Sequence, residues 1–513
     1  MKKRALYRSL AFLAILSVAA GCSNGSDGAA EDAGTSEPAG NAAPATAEPP
    51  AGSEEKPALR ILGSFAPNID PEKDIMVGEI EQRTGYDVEY VMLPQDKPDE
   101  KLNLEVASGA NYDILTLTAP QFYKLAAQGA LMPLDDLIAQ HGANIKNAIK
   151  EESWDLSRMD GSIYGIPQKN ERPNIEHTIA FRQDILDGLG LKPPETIAEF
   201  VEVLKAVKTA HPDMIPLTGH GTGDGLFMRT LMSGYSIFTD WTEIDGKLVT
   251  RFERPEMKEY IGFLQQLYAE GLLDQDWGVN KVASMQEKFT SGKAFAMPFG
   301  WFDGPGVTPA LEKNVPGAKL GVLNPLKDAS GNAGVQANLR IQYIHAIPKN
   351  AKNAEHAMKY MDMKLDPAHF TYLTLGEEGV TFTVENGAYT PIMPIFTEKR
   401  GSAYWFLNGI DEHKYPDMWL ARLRRDPNLF AAFEQLNKEY DKFAKQNPVS
   451  FAPPLDAVSK YQQSLGKMQD DYVIKVMMGG ANVAEHDSFM QEWGAAGGNE
   501  IGQALNEWYA TTK

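Results

Sequence analysis

Ala58-Leu59-Arg60-Ile61-Leu62-Gly63-Ser64-Phe65 opens the stretch whose reading decides the fold, and that stretch runs on to Leu117. The first eight residues form a short apolar run of strand length. Residues 70–84 carry helical spacing and close at Gly85, a residue suited to the left-handed cap. Residues 87–93 alternate apolar and polar, as a half-buried strand does. A short helix is expected over 101–108 and a third strand over 112–117, Tyr112-Asp113-Ile114-Leu115-Thr116-Leu117. Strand and helix alternate, which predicts βα units, a parallel sheet and an α/β fold.

The same punctuation continues toward the carboxyl end. Thr196-Ile197-Ala198-Glu199 reads as a capping box, with Phe200, Val203, Leu204 and Val207 following at helical spacing. Pro255 suits a first helical turn, and Gly271 ends the apolar face built by Met257, Tyr260, Ile261 and Leu264. Strands are expected at 293–299 and 341–347, and a helix at 353–363. The last third reads as mostly helical, with long stretches near 454–478 and 485–511.

Working outward to the amino end, Met1-Lys2-Lys3-Arg4 and Arg8 precede an apolar run from Leu10 to Ala20. This is the basic and apolar pattern of a secretory signal over residues 1–21. The run is shorter than the roughly 20 residues a membrane span needs. It ends Val18-Ala19-Ala20-Gly21-Cys22, and Cys22 is the sole cysteine. Small residues before a cysteine at this place resemble the lipobox of bacterial lipoproteins, with Ala19 where Leu is usual. The resemblance implies lipidation of Cys22 after cleavage before it. One cysteine allows no intramolecular disulfide. Residues 22–56 hold no aromatic or large aliphatic side chain and cannot bury enough surface to offset ordering. They read as the lipidated residue and a tether, long enough to cross a cell wall, which favours a Gram-positive source. Residues 57–513 are then the folded part, long enough for two domains. The formal charge of −20 over 513 residues argues against nucleic acid or anionic lipid as the main partner.

Six ordered segments carry a family resemblance. They are Ser108-Gly109-Ala110-Asn111-Tyr112-Asp113-Ile114-Leu115, Gly161-Ser162-Ile163-Tyr164-Gly165-Ile166-Pro167 and Ala180-Phe181-Arg182-Gln183-Asp184-Ile185-Leu186, then Pro194-Glu195-Thr196-Ile197-Ala198-Glu199-Phe200, Tyr268-Ala269-Glu270-Gly271-Leu272-Leu273-Asp274 and Phe289-Thr290-Ser291-Gly292-Lys293-Ala294. Together they resemble the extracellular solute-binding proteins of bacterial ABC sugar importers. Leu375-Gly376-Glu377-Glu378-Gly379-Val380 is similar to a segment of the large Gram-positive, LplA-like lipoprotein branch. The resemblance implies a type II periplasmic-binding fold: two α/β lobes, a hinge of crossing strands, and a ligand cleft between them. Lobe one is expected over about 58–167 and 344–400, and lobe two over about 168–343 and 401–513. Relatives often hold calcium in an acidic loop that here reads Thr209-Ala210-His211-Pro212-Asp213-Met214. That run lacks the six to eight oxygens calcium takes, so no metal is expected there and no cofactor elsewhere.

Sugar sites combine flat apolar faces with a few orienting polar groups. Trp301 follows a predicted strand directly, at the strand end where α/β clefts bind ligands. It is a candidate platform, with core packing as the alternative, and Trp405 and Trp241 are further candidates. Asp113 could accept sugar hydroxyls or cap a neighbouring element. Arg182 could contact ligand or pair with Asp184. Gln168 opens a polar stretch, with Asn170, Glu171 and Arg172, where the chain should pass between lobes. Gly219 to Gly225 lacks the Lys-Ser/Thr of a phosphate loop, and no serine-hydrolase elbow occurs.

The leading expectation is a monomeric, lipid-anchored binding protein on the outer face of the cell membrane. It would take a carbohydrate, an oligosaccharide above all, to the transmembrane subunits of an ABC permease, without catalysis. A surface glycoside hydrolase would need two carboxylates about 5–9.5 Å apart, and abundant acidic residues leave it open. A peptide-binding or sensor lipoprotein is the third reading.

Overall fold

The computed structural model describes residues 56–511, apart from 68, 95, 170–172, 338–340 and 454. The signal, Cys22 and nearly all of the tether therefore lie outside the described residues. The opening stretch folds as its pattern requires. Strands Leu59–Gly63, Val88–Met92 and Ile114–Leu117 pair in parallel, with Leu59–Gly63 in the middle. Helix Ile75–Thr84 starts at Asp74, whose carboxylate accepts from the Met76 amide, and stops at Gly85 with φ 69°. Helix Pro98–Ala107 supplies the second crossover.

The parallel expectation holds for these three strands and then changes. Strand Ile341–Ala346 adds antiparallel beside Ile114–Leu117, and Ile166–Lys169 adds antiparallel beside that. Both newcomers belong to chain segments that travel between lobes, so their direction follows from the crossing rather than from local βα connection. The close approach of Ile344 leaves no room for a Cβ on Gly165, which would sit 2.4 Å from the Ile344 Cγ2. The second sheet runs Leu320–Val322, His177–Arg182, Ala294–Gly300, Ile215–Leu217. His177–Arg182 is antiparallel to both neighbours, while Ala294–Gly300 and Ile215–Leu217 are parallel.

Each sheet has its own core. Ile61, Tyr90, Ile114, Met358 and Phe406 belong to the first, and Phe181, Leu204, Leu264, Phe295 and Val476 to the second. The structure is thus a two-lobe α/β fold. One expected boundary shifts. Residues 401–513 are expected in lobe two, yet Ala403, Phe406, Ile410, Tyr415, Met418 and Phe433 pack into the lobe-one core. Their apolar faces match that core, and no local sequence signal distinguishes one core from the other. Helix Pro427–Asn437 joins the lobes: Phe433 packs on lobe one, and Ala432 and Leu436 pack beside Met297 and Phe299 of lobe two. The long carboxyl-terminal helix expected over 485–511 breaks into His486–Trp493 and Asn499–Thr511. The break lies at Gly497, whose φ of 123° is open to glycine and whose Cα faces the Tyr461 ring.

Three chain segments connect the lobes. Ile175, Val335 and Phe443, one from each, form a small apolar cluster. Short parallel strands Val335–Gln336 and Ala444–Lys445 align two of the segments. The Asn437 side chain closes the third, accepting from the Ile175 amide at 2.7 Å and donating to the Ile175 carbonyl at 3.2 Å.

At the lobe-one root of these segments lies a buried polar chain. Lys364 Nζ donates to Asn408 Oδ1 at 2.7 Å, and Asn408 Nδ2 donates to Thr116 Oγ1 at 3.2 Å. Thr116 meets His345 Nδ1 at 3.1 Å, and His345 Nε2 meets Gln168 Oε1 at 2.8 Å. Burial, reinforced by the Lys364 charge, lowers the His345 pKa to about 3. Unfolded histidine titrates near pH 6.5, so stability is full above about 6.5 and falls as pH drops toward 3. Between pH 7 and pH 5 this one group should remove about 2 kcal/mol from the unfolding free energy. Denaturant melts of wild type and His345→Gln at the two pH values check it, and the variant should lose that part of the slope.

Candidate functional site

The site is built around a hairpin. Thr242-Glu243-Ile244 and Lys247-Leu248-Val249 flank Asp245-Gly246, a pair whose left-handed φ values of 50° and 81° suit a tight two-residue turn. Strands Trp241–Ile244 and Lys247–Thr250 pair with Trp241 opposite Thr250. The next residue outward on each side is then Asp240 and Arg251. The Arg251 amide donates to the Asp240 carbonyl at 2.9 Å, and the Arg251 guanidinium donates to Asp240 Oδ1 at 2.6 Å. Arg229 donates to the other oxygen at 3.0 Å. Burial alone would raise the Asp240 pKa, but Arg251 and Arg229 outweigh it and hold the carboxyl well below the usual range. The Arg251 guanidinium also lies over the Phe227 ring, 4.3 Å from its centroid. The Asp240 amide donates to Gln336 Oε1 at 2.9 Å, and Asn447 Nδ2 donates to the same oxygen at 3.1 Å. Gln336 and Asn447 sit on or beside the connecting segments, so the hairpin is fastened to the hinge.

Two cavities meet at this ion triad. An inner one of about 540 Å³ is bounded by Glu176 and His177, by Asp224, Phe227 and Arg229, and by Gln336 and Asn447. A larger one of about 1110 Å³ shares Asp240, Arg251, Asn447, Val449 and Gln462 with it. The larger cavity reaches Trp241 and Gln469 of lobe two and Ala119 and Pro120 of lobe one. Its walls therefore come from both lobes. Beside the inner cavity, His177 Nδ1 lies 3.3 Å from Asp224 Oδ2, and its ring meets the exposed Phe302 edge-on at 5.3 Å.

Of the six ligand candidates from sequence, Trp241 lines this cleft and the other five do not. Asp113 is buried, and its Oδ2 accepts from the Arg60 amide at 2.9 Å, where it extends the strand ladder. Arg182 is buried and spent on Asp184, with contacts of 2.8 and 2.6 Å. Gln168 is buried, and its Oε1 meets His345 and accepts from the Gly409 amide at 3.2 Å. Each is a polar group held by partners within the fold, although the other Asp113 oxygen, Oδ1, is buried without a hydrogen bond. Trp301 does stand at the end of Ala294–Gly300, but its indole is turned into an aromatic cluster. Phe302, Trp419 and Phe433 meet it at 5.6, 6.0 and 5.6 Å, and Nε1 donates to Asn174 at 3.2 Å. Trp405 packs against the lobe-one core, 6.4 Å from the Tyr343 ring. Cys22 falls outside the described residues.

The sequence reading missed Arg229, Asp240 and Arg251. A signal for two of them was present: the Asp-Gly turn between alternating segments fixes the register that sets Asp240 beside Arg251. Nothing local points to Arg229, which arrives from a separate helix, Arg229–Met232.

Two α/β lobes, three connecting segments and a cleft walled by both lobes define the architecture of a solute-binding protein. A family model for bacterial extracellular solute-binding proteins matches residues 76–383, more than half of the chain, and the chain belongs to that family. It is 37% identical over 255 residues to an uncharacterized protein from the butB 5′ region of Niallia circulans, covering 50% of this chain and 100% of that one. It is 26% identical to the polygalacturonan/rhamnogalacturonan-binding protein YtcQ of Bacillus subtilis, covering 86% of this chain and 89% of that one. The fold matches the Streptococcus pneumoniae substrate-binding protein FusA, solved in complex with kestose, with TM-score 0.65, 18% identity, and coverage of 89% and 99%.

Removing the shared carboxylate leaves two guanidiniums facing each other. Asp240→Ala should cost roughly 2–3 kcal/mol of unfolding free energy, less than a fully buried pair would, because Asp240 keeps 33% of its side chain in water. The stability Asp240 supplies is present above its unfolded pKa of about 3.9 and is lost as pH falls below that value toward the lower folded one. Urea melts from pH 6 down to pH 3 should show the two proteins converging at the acid end.

Proposed function

We propose that this chain is the lipid-anchored extracellular solute-binding component of an ABC importer. It captures a carbohydrate and presents it to the permease transmembrane subunits. The observation that carries this reading is the cleft cavity itself. Trp241 offers an apolar face from lobe two, Ala119 and Pro120 come from lobe one, and Asn447, Gln462 and the Arg251 guanidinium surround them with polar groups. Such a mixture suits a sugar, which shows an apolar ring face and a rim of hydroxyls.

A ligand that touches both walls has more affinity for the closed arrangement than for the open one, and that difference alone drives closure. The closed form is then what the permease recognises. Asp240 is an unsuitable acid or base, since two arginines keep it ionised and occupied. The protein acts as a monomer, held to the outer face of the membrane through Cys22.

A thermal-shift panel of oligogalacturonides, kestose and mixed peptides tests the ligand class. A sugar at a hundred times its Kd should stabilise the fold by about 2.7 kcal/mol, be recovered unchanged, and bind about tenfold more weakly to Trp241→Ala. A shift with peptides alone, or cleavage of the sugar, would overturn the reading. For the anchor, wild-type cells fed labelled palmitate should yield a labelled membrane-bound protein. Cys22→Ala should be unlabelled and appear in the medium, and retention of label by that variant counts against lipidation at Cys22.

A further inference from the structure

The cleft does not end at the Trp241 compartment. A third cavity of about 500 Å³ shares Pro120 and Ser459 with the middle one. One wall is lobe one, from helices Pro98–Ala107 and Ala119–Ala127, and the other is the start of the lobe-two helix Asp456–Met477. The three compartments therefore form a row: inner at Arg229 and His177, middle at Trp241, outer at Asn103 and Lys124. Adjacent members share wall residues, Asp240 and Arg251 at one junction and Pro120 and Ser459 at the other.

The row is larger than a small ligand needs. Pockets of about 300–1000 Å³ already enclose a drug-sized molecule, and the middle compartment alone is about 1110 Å³. A single sugar ring would leave most of this surface wet and would engage few residues of lobe one. The outer compartment is also built rather than incidental. Gln121 is buried there, its Nε2 donating to Asp99 Oδ1 at 2.7 Å and its Oε1 accepting from the Thr118 amide at 3.0 Å. That arrangement fixes the two lobe-one helices against each other and keeps the wall in shape.

We infer that the ligand is an oligosaccharide of at least three sugar rings that runs through all three compartments, and that the outer one sets the length preference. This rests on the carbohydrate reading above and adds to it the chain length and the residues that select it.

Calorimetric titration with two length series, galacturonate mono- to tetramer and sucrose, kestose and nystose, tests the inference. Wild type should gain at least tenfold in affinity from the two-ring to the three-ring member of one series. Asn103→Trp, which fills the outer compartment from a half-buried helix position, should bring the three-ring ligand down to two-ring affinity and leave the two-ring ligand unchanged. Lys124→Trp, at an exposed position on the opposite helix, repeats the block should Asn103→Trp fail to fold. Affinity that is flat with length, a block that leaves three-ring binding intact, or one that weakens two-ring binding equally would overturn the length inference while the carbohydrate reading stands. A wild type that binds no member of either series removes both.

Discussion

The Asp240 carboxylate, held between two guanidiniums, is the constraint on which the site depends. Its two oxygens pair with Arg229 and Arg251, and its amide reaches Gln336 on a connecting segment. One residue thereby ties a hairpin, a helix and the hinge together. Trp241 is the next residue in the chain, so the position of this aromatic face on the middle cavity is inherited from that ion triad. An ion triad of this kind is costly to form in a partly dry place. Its return is positional: a carboxylate bound at both oxygens cannot rotate, and the backbone beside it cannot drift.

The hinge works by a different balance. Its apolar cluster is small, being Ile175, Val335 and Phe443. Precision comes instead from hydrogen bonds that hold the ends of the connecting segments. Asn437 grips the backbone at Ile175, and Gln336 accepts from Asn447. Within lobe one, Gln168 and His345 are locked into a buried chain that reaches Lys364. Burial lowers the Lys364 pKa well below that of an ordinary lysine.

Helix Pro427–Asn437 adds a physical link across the lobes, since its two faces serve two cores. Trp301 belongs to this link. Its ring contacts with Trp419 and Phe433 join the end of a lobe-two strand to lobe-one helices. An aromatic at a strand end can thus support the cleft from behind instead of facing it. Phe302, one residue on, is the exposed ring beside His177.

The sequence by itself determined the local elements and the fold class. Apolar period, caps at Gly85 and Thr196, and the βαβαβ order from Leu59 to Leu117 depend on near neighbours, and near neighbours are what a sequence displays. It also carried the register of the hairpin, through Asp245-Gly246. It did not disclose which core residues 403–433 would join, because an apolar face fits either lobe. Nor did it separate Trp241 from Trp301 and Trp405. An indole in the cleft and one in a core have the same composition, and only distant partners such as Trp419 and Phe433 tell them apart. Asp113 and Gln168 look like ligand groups for the same reason, since a polar side chain shows its chemistry in the sequence but not a distant partner. That pairing is decided when Arg60 and His345 arrive from elsewhere in the chain and bond to Asp113 and Gln168, because a buried polar group seeks its hydrogen bonds inside the fold, whereas the partner of Arg182 stands two residues on, at Asp184.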